Sequence, residues 1–373
     1  MYLNLDWWMR LIVTAARRLL ICAGGTGGHI HPAVSVIEKL KENKDRIEIA
    51  FIGSSRDEGL KAVKDIEAGK YFLKVIPFER RFSLSWFPSL YWLIRAFINM
   101  MEYLRKYKPQ SILGFGGFVS APVMLASLVL RVPFMIHEQN LIPGRTNKIF
   151  ARFATVFFAS FPETKDYLSK RTAFIYTGNP IKYSNRISKE EARASFNLSV
   201  EHITIGFFGG SRGSALINEL VFDHLSRILL NKGVQILHIT GYDEKRSFKS
   251  DGYLSMSYIE NMQNFYCACD LIVCRAGAST IAELKYFRKP AVLIPYPYAV
   301  SDHQQKNAEH LAKAGCAVIL NNSKIQDDKE KYADLIAKLV LNKKDIERME
   351  FSYSFFGKGI DSALKMVEEI LSN

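Results

Sequence analysis

Three short apolar segments of this chain each end in a glycine-rich turn, and each turn leads into a segment with helical character. The turns read GGTGGH (24–29), GFGG (114–117) and GGSRG (209–213). After the first turn, apolar residues recur at the spacing of one helix face, at Ile30, Ala33, Val34, Ile37 and Leu40. Repeated strand–turn–helix units are typical of a parallel sheet covered by helices on both faces.

The alternation of strands and helices runs through the whole chain and is interrupted once. Strand candidates are 19–23, 47–52, 111–113 and 133–136 in the first half, and 203–208, 235–239, 271–273, 291–294 and 317–320 in the second. Between the halves, TGNP (177–180) marks a turn, and a polar stretch follows it. The pattern predicts an α/β protein with two doubly wound, Rossmann-like parallel-sheet domains that face a cleft.

These patterns also suggest where the domains begin and end. We predict a first domain at 17–178, a second at 179–355, and a C-terminal helix within 356–373 that packs back on the first domain. Residues 1–16 are predicted to be an N-terminal extension, since Met9 also precedes the first strand.

The net charge of +13, with an isoelectric point near 9.4, favours an anionic partner. Such a partner is a nucleic acid, an anionic bilayer or a phosphorylated substrate, and the alternative is a surface of scattered, solvated lysines. The chain has no helix-turn-helix and no aromatic-basic signature of a nucleic-acid-binding module, so nucleic acid is not expected.

Five cysteines and no secretory signal argue for a reducing compartment rather than a disulfide framework. Cys267, Cys269 and Cys274 cluster, but no histidine lies at zinc-finger spacing from them, so they are predicted to be small buried residues and not metal ligands. The best candidate for a membrane-spanning segment, 119–130, is too short to span a bilayer.

The glycine turns point to phosphate binding. Glycine lets the backbone approach a ligand closely, and the N-terminus of the following helix offers unpaired N–H groups and partial positive charge to an anion. Glycine also serves tight strand-to-helix turns, but three such turns strengthen the phosphate interpretation. The spacing is neither the dinucleotide GxGxxG fingerprint nor a P-loop, which disfavours nicotinamide and Walker-type sites.

Polar side chains near the expected strand ends are candidates for chemistry. His29 closes the first turn and is a possible general base, although a capping or packing role is the commoner one. Glu138, in HEQN (137–140), follows an apolar strand. Glu283 lies early in the helix after RAGAST (275–280), where it could accept hydrogen bonds from ribose hydroxyls or simply complement the helix dipole. Gln304, in DHQQ (302–305), suits sugar hydroxyls.

Taken together, these motifs resemble the MurG family, the N-acetylglucosaminyltransferases that convert lipid I to lipid II in peptidoglycan synthesis. The matching segments are GGTGGHIHPA from Gly24, GFGGFVSAP from Gly114, HEQN from His137, TNK from Thr146, GNP from Gly178, GGSRGS from Gly209, CRAGASTIAE from Cys274 and DHQQKNA from Asp302. They follow the family order from about residue 17 to residue 320.

The resemblance implies a GT-B fold and an inverting transfer of GlcNAc from UDP-GlcNAc to the C4 hydroxyl of MurNAc on undecaprenyl-diphosphate (lipid I). It implies a peripheral protein at the cytoplasmic face of the inner membrane, with an acceptor- and membrane-binding first domain and no cofactor or metal. His29 would be the base, with Glu138 nearby as the other candidate. The implied donor contacts are Thr26, Gly27, Gly28, Asn140, Ser211, Ile259, Ala278, Ser279, Thr280, Glu283 and Gln304.

Three positions depart from the family pattern. Lys182 replaces the arginine that usually follows GNP-x, and we expect it to contact the donor diphosphate as a point charge. Arg212 replaces a glutamine in the third turn and could supply a compensating charge. Phe118 replaces a tyrosine, so a phenolic role is lost there.

Two other classes of protein fit parts of the pattern. One is another GT-B enzyme that uses a UDP-sugar, either a glycolipid glycosyltransferase or a UDP-GlcNAc 2-epimerase. The other is a non-catalytic lipid- or nucleotide-binding protein on the same fold, which would need a degenerate site.

The segment from about 77 to 108 mixes basic and aromatic residues in a way that suits an anionic bilayer surface. We assign its loop and helix start to the membrane interface, namely Arg80, Arg81, Phe82, Trp86 and Phe87. The apolar residues that follow have helical spacing and are assigned to the core, namely Leu90, Leu93, Ile94, Phe97, Ile98 and Met101.

Overall fold

The computed structural model describes residues 17–42, 47–78, 86–183, 186–210, 212–246, 250–299, 302–356 and 361–372. They form two compact units. The first unit comprises Met1–Lys182 together with Ile360–Asn373, and the second comprises Tyr183–Gly359. The predicted boundary at 178/179 lies four residues before this division.

The first unit contains a seven-stranded sheet in which all strands are parallel. The strands are β1 (Arg17–Cys22), β2 (Ile47–Ser54), β3 (Gly69–Leu73), β4 (Ser111–Gly114), β5 (Phe134–Glu138), β6 (Val156–Ala159) and β7 (Phe174–Tyr176). Their order across the sheet is β3-β2-β1-β4-β5-β6-β7, so the chain winds outward from β1 in both directions. The order reverses between β1 and β4, which is where ligands bind in open sheets of this kind.

Helices cover both faces of this sheet. They are α1 (Gly27–Glu42), α2 (Lys61–Lys64), α3 (Trp86–Tyr107), α4 (Ser120–Leu130), α5 (Arg145–Phe150) and the C-terminal helix (Ser362–Ser372), with 3₁₀ turns at Ala151–Phe153 and Pro162–Tyr167. Alternate residues of β1 enter opposite cores. Leu19 and Ile21 pack with α1 and the C-terminal helix, while Leu20 and Cys22 pack with α3 and α4. The C-terminal helix therefore shares a core with α1.

The second unit repeats the design with six parallel strands in the order β10-β9-β8-β11-β12-β13. They are β8 (Thr204–Phe208), β9 (Gln235–Ile239), β10 (Tyr253–Met256), β11 (Leu271–Cys274), β12 (Ala291–Leu293) and β13 (Ala317–Ile319). The helices are α6 (Lys189–Ala194), α7 (Ala215–Glu219), α8 (Ser226–Leu230), α9 (Met262–Ala268), α10 (Ala278–Phe287), α11 (His303–Lys313), α12 (Asn322–Asp327), α13 (Lys329–Leu341) and α14 (Lys343–Ser352). A π-helical segment, Leu220–Leu225, joins α7 to α8, and a 3₁₀ turn at Tyr353–Phe356 follows α14.

The prediction of two doubly wound parallel sheets is confirmed, but four strands were not predicted. Three of them, β3, β7 and β10, lie at sheet edges and consist largely of half-buried or exposed residues. An edge strand needs no continuous apolar run, so it leaves a weak signal in the sequence. The fourth, β6, is fully buried but only four residues long.

The prediction that the apolar residues of α3 face the core is wrong for three of them. Leu90, Ile94 and Ile98 are 48, 49 and 56% exposed, and they continue a solvent-facing stripe that starts at Phe87. The buried face of α3 is formed instead by Ser89, Ala96, Met100 and Leu104. The helix carries apolar residues on more than one face, so periodicity alone could not show which face is covered.

Two predicted membrane residues of this segment can be located. Phe87 is 69% exposed, whereas Trp86 is half-buried and packs against the Phe78 ring at 5.0 Å. Arg80, Arg81 and Phe82 lie outside the described residues. Within the described parts of the chain, no helix combines the length and apolarity needed to cross a bilayer.

Candidate functional site

The first two glycine turns touch each other in the first unit. A β-carbon on Gly117 would lie 2.3 Å from the carbonyl oxygen of Gly24, and Gly117 has a φ of +79°. Only glycine accommodates both this contact and this backbone angle. His29 stands at the junction, since the same β-carbon would lie 3.5 Å from its Nδ1. The turn after β1 and the turn after β4 therefore build one surface around His29.

Asp57, which was not predicted as a site residue, holds the first turn in place. Its Oδ2 accepts a hydrogen bond of 2.7 Å from the backbone N–H of Gly25, which has a φ of +87°. Asp57 itself is 5% exposed. A buried carboxylate thus fixes the exit of β1 just before Thr26 and the first α1 residues, Gly27 and Gly28.

The orientation of His29 is set by Thr26. Thr26 Oγ1 and His29 Nδ1 are 3.0 Å apart, and the His29 N–H donates to the carbonyl oxygen of Thr26. When Nδ1–H donates to Thr26 Oγ1, Nε2 keeps its lone pair and can accept a proton. The hydrogen bond orients the ring in either tautomer, and the tautomer with Nδ1 protonated is the one that a general base requires.

Glu138, the alternative base candidate, uses both of its carboxylate oxygens within its own loop. Oε1 accepts from the backbone and side-chain nitrogens of Asn140 at 3.0 and 3.4 Å. Oε2 accepts from Gly144 N–H at 2.9 Å and from Asn147 Nδ2 at 2.8 Å. The side chain is 1% exposed, and burial raises its pKa while these four bonds lower it. Glu138 thus braces the loop after β5, including the predicted donor contact Asn140.

His137 is buried beside Glu138 and connects β5 to the segment after β7. Its Nε2 lies 3.1 Å from the carbonyl oxygen of Gly178, and its Nδ1 lies 3.1 Å from Gln139 Nε2. A neutral ring that donates from Nε2 and accepts at Nδ1 satisfies both contacts. Burial lowers the pKa of His137 to about 4, the Gly178 bond opposes this shift, and nearby His29 adds to it.

This depressed pKa predicts that the first unit loses stability in mild acid. Folded His137 binds its proton only near pH 4, whereas the unfolded chain binds it near pH 6.5, so the contribution is intact above pH 6.5 and is lost as the pH falls toward 4. About 2 kcal/mol should be lost between pH 7 and pH 5. Urea unfolding of wild type and His137→Gln should show a shallower pH dependence for the variant. Exposed His202→Gln is the control, and equal slopes for wild type and His137→Gln would contradict the assignment.

In the second unit, a cavity of about 330 Å³ lies at the carboxyl ends of β8 and β11. Its walls include Gly209 and Gly213 of the third glycine turn, Arg275 and Gln304. Gln304 Oε1 accepts from the backbone N–H groups of Ala276 and Tyr296, at 3.3 and 2.9 Å. Gln304 thereby ties the loop after β11 to the loop after β12 on the cavity wall.

Arg275 places a positive charge on the cavity wall, and it was not among the predicted site residues. Its guanidinium donates to Asn322 Oδ1 at 2.7 Å, to Ser214 Oγ at 2.8 Å and to the carbonyl oxygen of Ile294 at 3.0 Å. Among the described residues it forms no ion pair with a carboxylate. Burial lowers its pKa to about 10, so the group stays charged at neutral pH. Its place directly after β11 was the signal that could have identified it.

The start of α10 carries four predicted donor contacts. Ala278, Ser279 and Thr280 form the first turn, and the Oγ of Ser279 is buried without a hydrogen-bond partner in the described structure. The carboxylate of Glu283 follows on the same helix and accepts hydrogen bonds from two tyrosine hydroxyls of the second unit. A helix N-terminus with an unpaired hydroxyl is a suitable place for a polar ligand.

Ile259, Lys182 and Ser211 are the remaining predicted donor contacts. Ile259 is half-buried in the loop after β10. Lys182, the last residue of the first unit, lies near Glu38 of α1, where burial raises the pKa of Glu38 and the Lys182 charge lowers it. Ser211 lies outside the described residues. The structure thus groups Thr26, Gly27, Gly28, His29, Glu138 and Asn140 in the first unit, and Ile259, Ala278, Ser279, Thr280, Glu283 and Gln304 in the second.

Two doubly wound parallel sheets with glycine turns at their strand ends are the architecture of the GT-B glycosyltransferases, and the family matches place the chain in that class. Residues 19–159 match the glycosyltransferase family 28 N-terminal domain, and residues 204–362 match the family 28 C-terminal domain. The chain belongs to the family of UDP-N-acetylglucosamine–N-acetylmuramyl-(pentapeptide) pyrophosphoryl-undecaprenol N-acetylglucosamine transferases. The resemblance inferred from the motifs is confirmed, and the protein is an N-acetylglucosaminyltransferase.

Curated relatives and solved structures support this assignment. The transferase of that name from Halothermothrix orenii is 38% identical over 360 residues, covering 91% of this chain and 95% of the relative. The Bacillus subtilis transferase is 32% identical over 342 residues, covering 89% and 93%. The crystal structure of Acinetobacter baumannii MurG covers 96% of this chain and 100% of that chain, with a TM-score of 0.74 and 24% identity. At that identity the structural match shows the fold, and it confirms the GT-B prediction.

Proposed function

We propose that this protein transfers GlcNAc from UDP-GlcNAc, with inversion, to the C4 hydroxyl of MurNAc in undecaprenyl-diphosphate-linked lipid I, forming lipid II for peptidoglycan synthesis. The observation that carries the proposal is the match of named transferases along both units at 32–38% identity. The residues of each unit agree with this chemistry, because the first unit holds a base candidate and the second unit holds a charged cavity.

The reaction needs a proton acceptor, and we assign this role to His29. Nε2 removes the proton from the C4 hydroxyl as that oxygen bonds to the anomeric carbon of the donor, and the bond from this carbon to the UDP diphosphate breaks. Glu138 holds the loop that carries Asn140, since its oxygens are already engaged by four donors. This arrangement favours His29 over Glu138 as the base.

The donor is proposed to bind the second unit. The leaving diphosphate gains negative charge as the bond breaks, and the Arg275 guanidinium together with the N-terminus of α10 would stabilise it. Gln304 and Asn140 are proposed to contact the sugar, and Ile259, Ser279, Thr280 and Glu283 the uridine and phosphates. Lys182 remains a proposed contact of the diphosphate, and Ser211 remains a proposed contact of UDP-GlcNAc.

A UDP-release assay with UDP-GlcNAc and lipid I tests this function. Release that depends on lipid I, with a disaccharide-bearing lipid product, is the expected result. Release with diacylglycerol instead of lipid I would indicate a glycolipid transferase. Conversion of UDP-GlcNAc to UDP-ManNAc without an acceptor would indicate an epimerase.

We also propose that the first unit binds an anionic membrane surface at the cytoplasmic face, where the lipid-linked acceptor is held. The supporting feature is an exposed apolar stripe on α3, at Phe87, Leu90, Tyr91, Ile94 and Ile98, with Leu125 and Val129 exposed on neighbouring α4. Exposed Arg95, Arg105, Lys106 and Arg131 lie on or directly after these helices. Apolar side chains flanked by basic ones suit the headgroup boundary of an anionic bilayer.

Replacing Ile94 and Ile98 together by Ser should lower vesicle binding at least about tenfold, because each substitution removes apolar side-chain surface that would be buried when the protein binds the membrane. Both side chains are about half exposed, so folding should be preserved. Co-sedimentation with phosphatidylglycerol vesicles at low and high salt measures the effect. Leu335→Ser/Leu341→Ser, which alters two exposed leucines of the second unit, is the matched control. Equal loss in both double variants, or binding insensitive to salt, would contradict the proposal.

A further inference from the structure

Two tyrosines each donate a hydrogen bond to a different oxygen of the Glu283 carboxylate. Neither tyrosine was predicted to belong to the donor site. Tyr266 donates its hydroxyl hydrogen to Oε2 at 2.8 Å, and Tyr183 donates to Oε1 at 3.4 Å. All three residues belong to the second unit. An ionised carboxylate only accepts hydrogen bonds, so both tyrosines must be donors.

The two tyrosines are anchored very differently. Tyr266 is fully buried, and its ring stacks on Phe287 with centroids 5.1 Å apart and planes 9° apart. Its hydroxyl is therefore fixed in place. Tyr183 is half-buried and is the first residue of the second unit, with its ring against Phe287 and Tyr286. A tyrosine hydroxyl bond of 3.4 Å is at the long limit for a hydrogen bond, whereas 2.8 Å is ordinary.

Tyr183 also lies at the part of the second unit where the nucleoside is proposed to bind. Burial raises the pKa of its hydroxyl, and nearby Glu283 and Tyr258 raise it further, which places all three side chains together. Tyr258 precedes the proposed donor contact Ile259, and Glu283 is the proposed ribose contact. The hydroxyl stays protonated at neutral pH and remains a donor to Glu283.

We propose that these tyrosines form a ribose-exchange clamp, in which Tyr266 positions Glu283 and Tyr183 is displaced from Oε1 by a ribose hydroxyl when the uridine nucleotide binds. The inference rests on the proposed function, since it deepens the assignment of Glu283 to the ribose. A vicinal diol offers two adjacent donors to one carboxylate, and the longer, weaker bond is the one that yields. Tyr183 thereby sets how strongly the site prefers a ribonucleotide.

The preference for ribose hydroxyls is measured as the ratio of two dissociation constants. Isothermal titration calorimetry of the full chain with UDP and with 2′,3′-dideoxy-UDP gives this ratio, because the dideoxy compound cannot bond to Glu283. Tyr266→Phe should reduce the preference for UDP about two- to tenfold, since an unheld carboxylate is poorly oriented. Tyr183→Phe should increase it about two- to fivefold, since the diol no longer displaces a competitor.

The controls separate failure of the clamp from failure of the proposed function. Tyr286→Phe removes a hydroxyl from a ring that contacts Tyr183 and should leave the ratio unchanged. Glu283→Ala removes both acceptor oxygens and should abolish the preference, and if it does not, the ribose assignment itself falls. If Glu283→Ala abolishes it but Tyr183→Phe lowers the ratio or leaves it unchanged, only the clamp is overturned. Because Tyr183 is half-buried, its variant decides the exchange even if Tyr266→Phe fails to fold.

Discussion

Replacing His29 by Ala should lower kcat about 10²–10⁴-fold while leaving the affinity for UDP nearly intact. A positioned base contributes a factor of this size to proton removal, and His29 lies in the first unit whereas the cavity proposed for the donor belongs to the second. The measurement is steady-state UDP release with lipid I, accompanied by UDP titration calorimetry to confirm that the variant still binds nucleotide.

Two further variants separate the role of His29 in proton removal from the roles of Thr26 and Glu138. Thr26→Val keeps the shape of the side chain but removes the oxygen that lies 3.0 Å from His29 Nδ1, so the imidazole ring is no longer oriented by this hydrogen bond. It should lower kcat by a smaller factor, on the order of tenfold. Glu138→Gln should instead reduce thermal stability, because an NH₂ group replaces one acceptor oxygen and then faces N–H donors.

A fall of less than tenfold in kcat for His29→Ala would make His29 a packing residue. Glu138 would then become the leading base candidate, and its loop would have to open for an oxygen to reach the acceptor. A simultaneous loss of UDP binding in His29→Ala would indicate damage to the fold rather than to proton transfer.

Local signals were enough to predict the fold of each unit. The glycine turns at 24–29, 114–117 and 209–213 follow buried strands, and both the turn chemistry and the strand burial can be read from a short window of sequence. The edge strand Phe174–Tyr176 lacked such a signal because its three residues are half-buried. The exposed face of α3 was misassigned because the sequence does not reveal which apolar stripe finds a partner.

The candidate site was predictable as a set of residue types but not as a set of contacts. Glu138 looked like a second base because a carboxylate after a buried strand has that chemistry. Its four hydrogen bonds depend on how residues 140–147 fold back over it, which is a tertiary fact. Tyr183 and Tyr266 are 83 residues apart in sequence, and only folding brings both to Glu283.

Replacing Gly213 by Ala should destabilise the second unit by about 4 kcal/mol or more, an exceptionally large effect for a single substitution. The added β-carbon would lie 2.0 Å from the carbonyl oxygen of Thr240, and the backbone of Gly213 has a φ of +80°. Gly241, which lies against Gly213, is constrained in the same way, since a β-carbon on Gly241 would lie 2.2 Å from the Gly213 nitrogen. Two glycines therefore allow the third turn to pack against the loop after β9, and this packing shapes the cavity wall.

The matched control for this prediction lies in the same turn. Gly210 also has a positive φ, +99°, but no described atom beyond its two chain neighbours lies within 4 Å of where its β-carbon would be. Gly210→Ala should therefore cost only backbone strain, about 1–3 kcal/mol. Thermal unfolding and UDP titration of both variants measure the difference. If the chain relieves the clash by moving the turn, Gly213→Ala will stay folded but lose UDP binding, because Gly213 lines the proposed donor cavity. A Gly213→Ala protein as stable as Gly210→Ala, with UDP binding unchanged, would show that this contact does not shape the site.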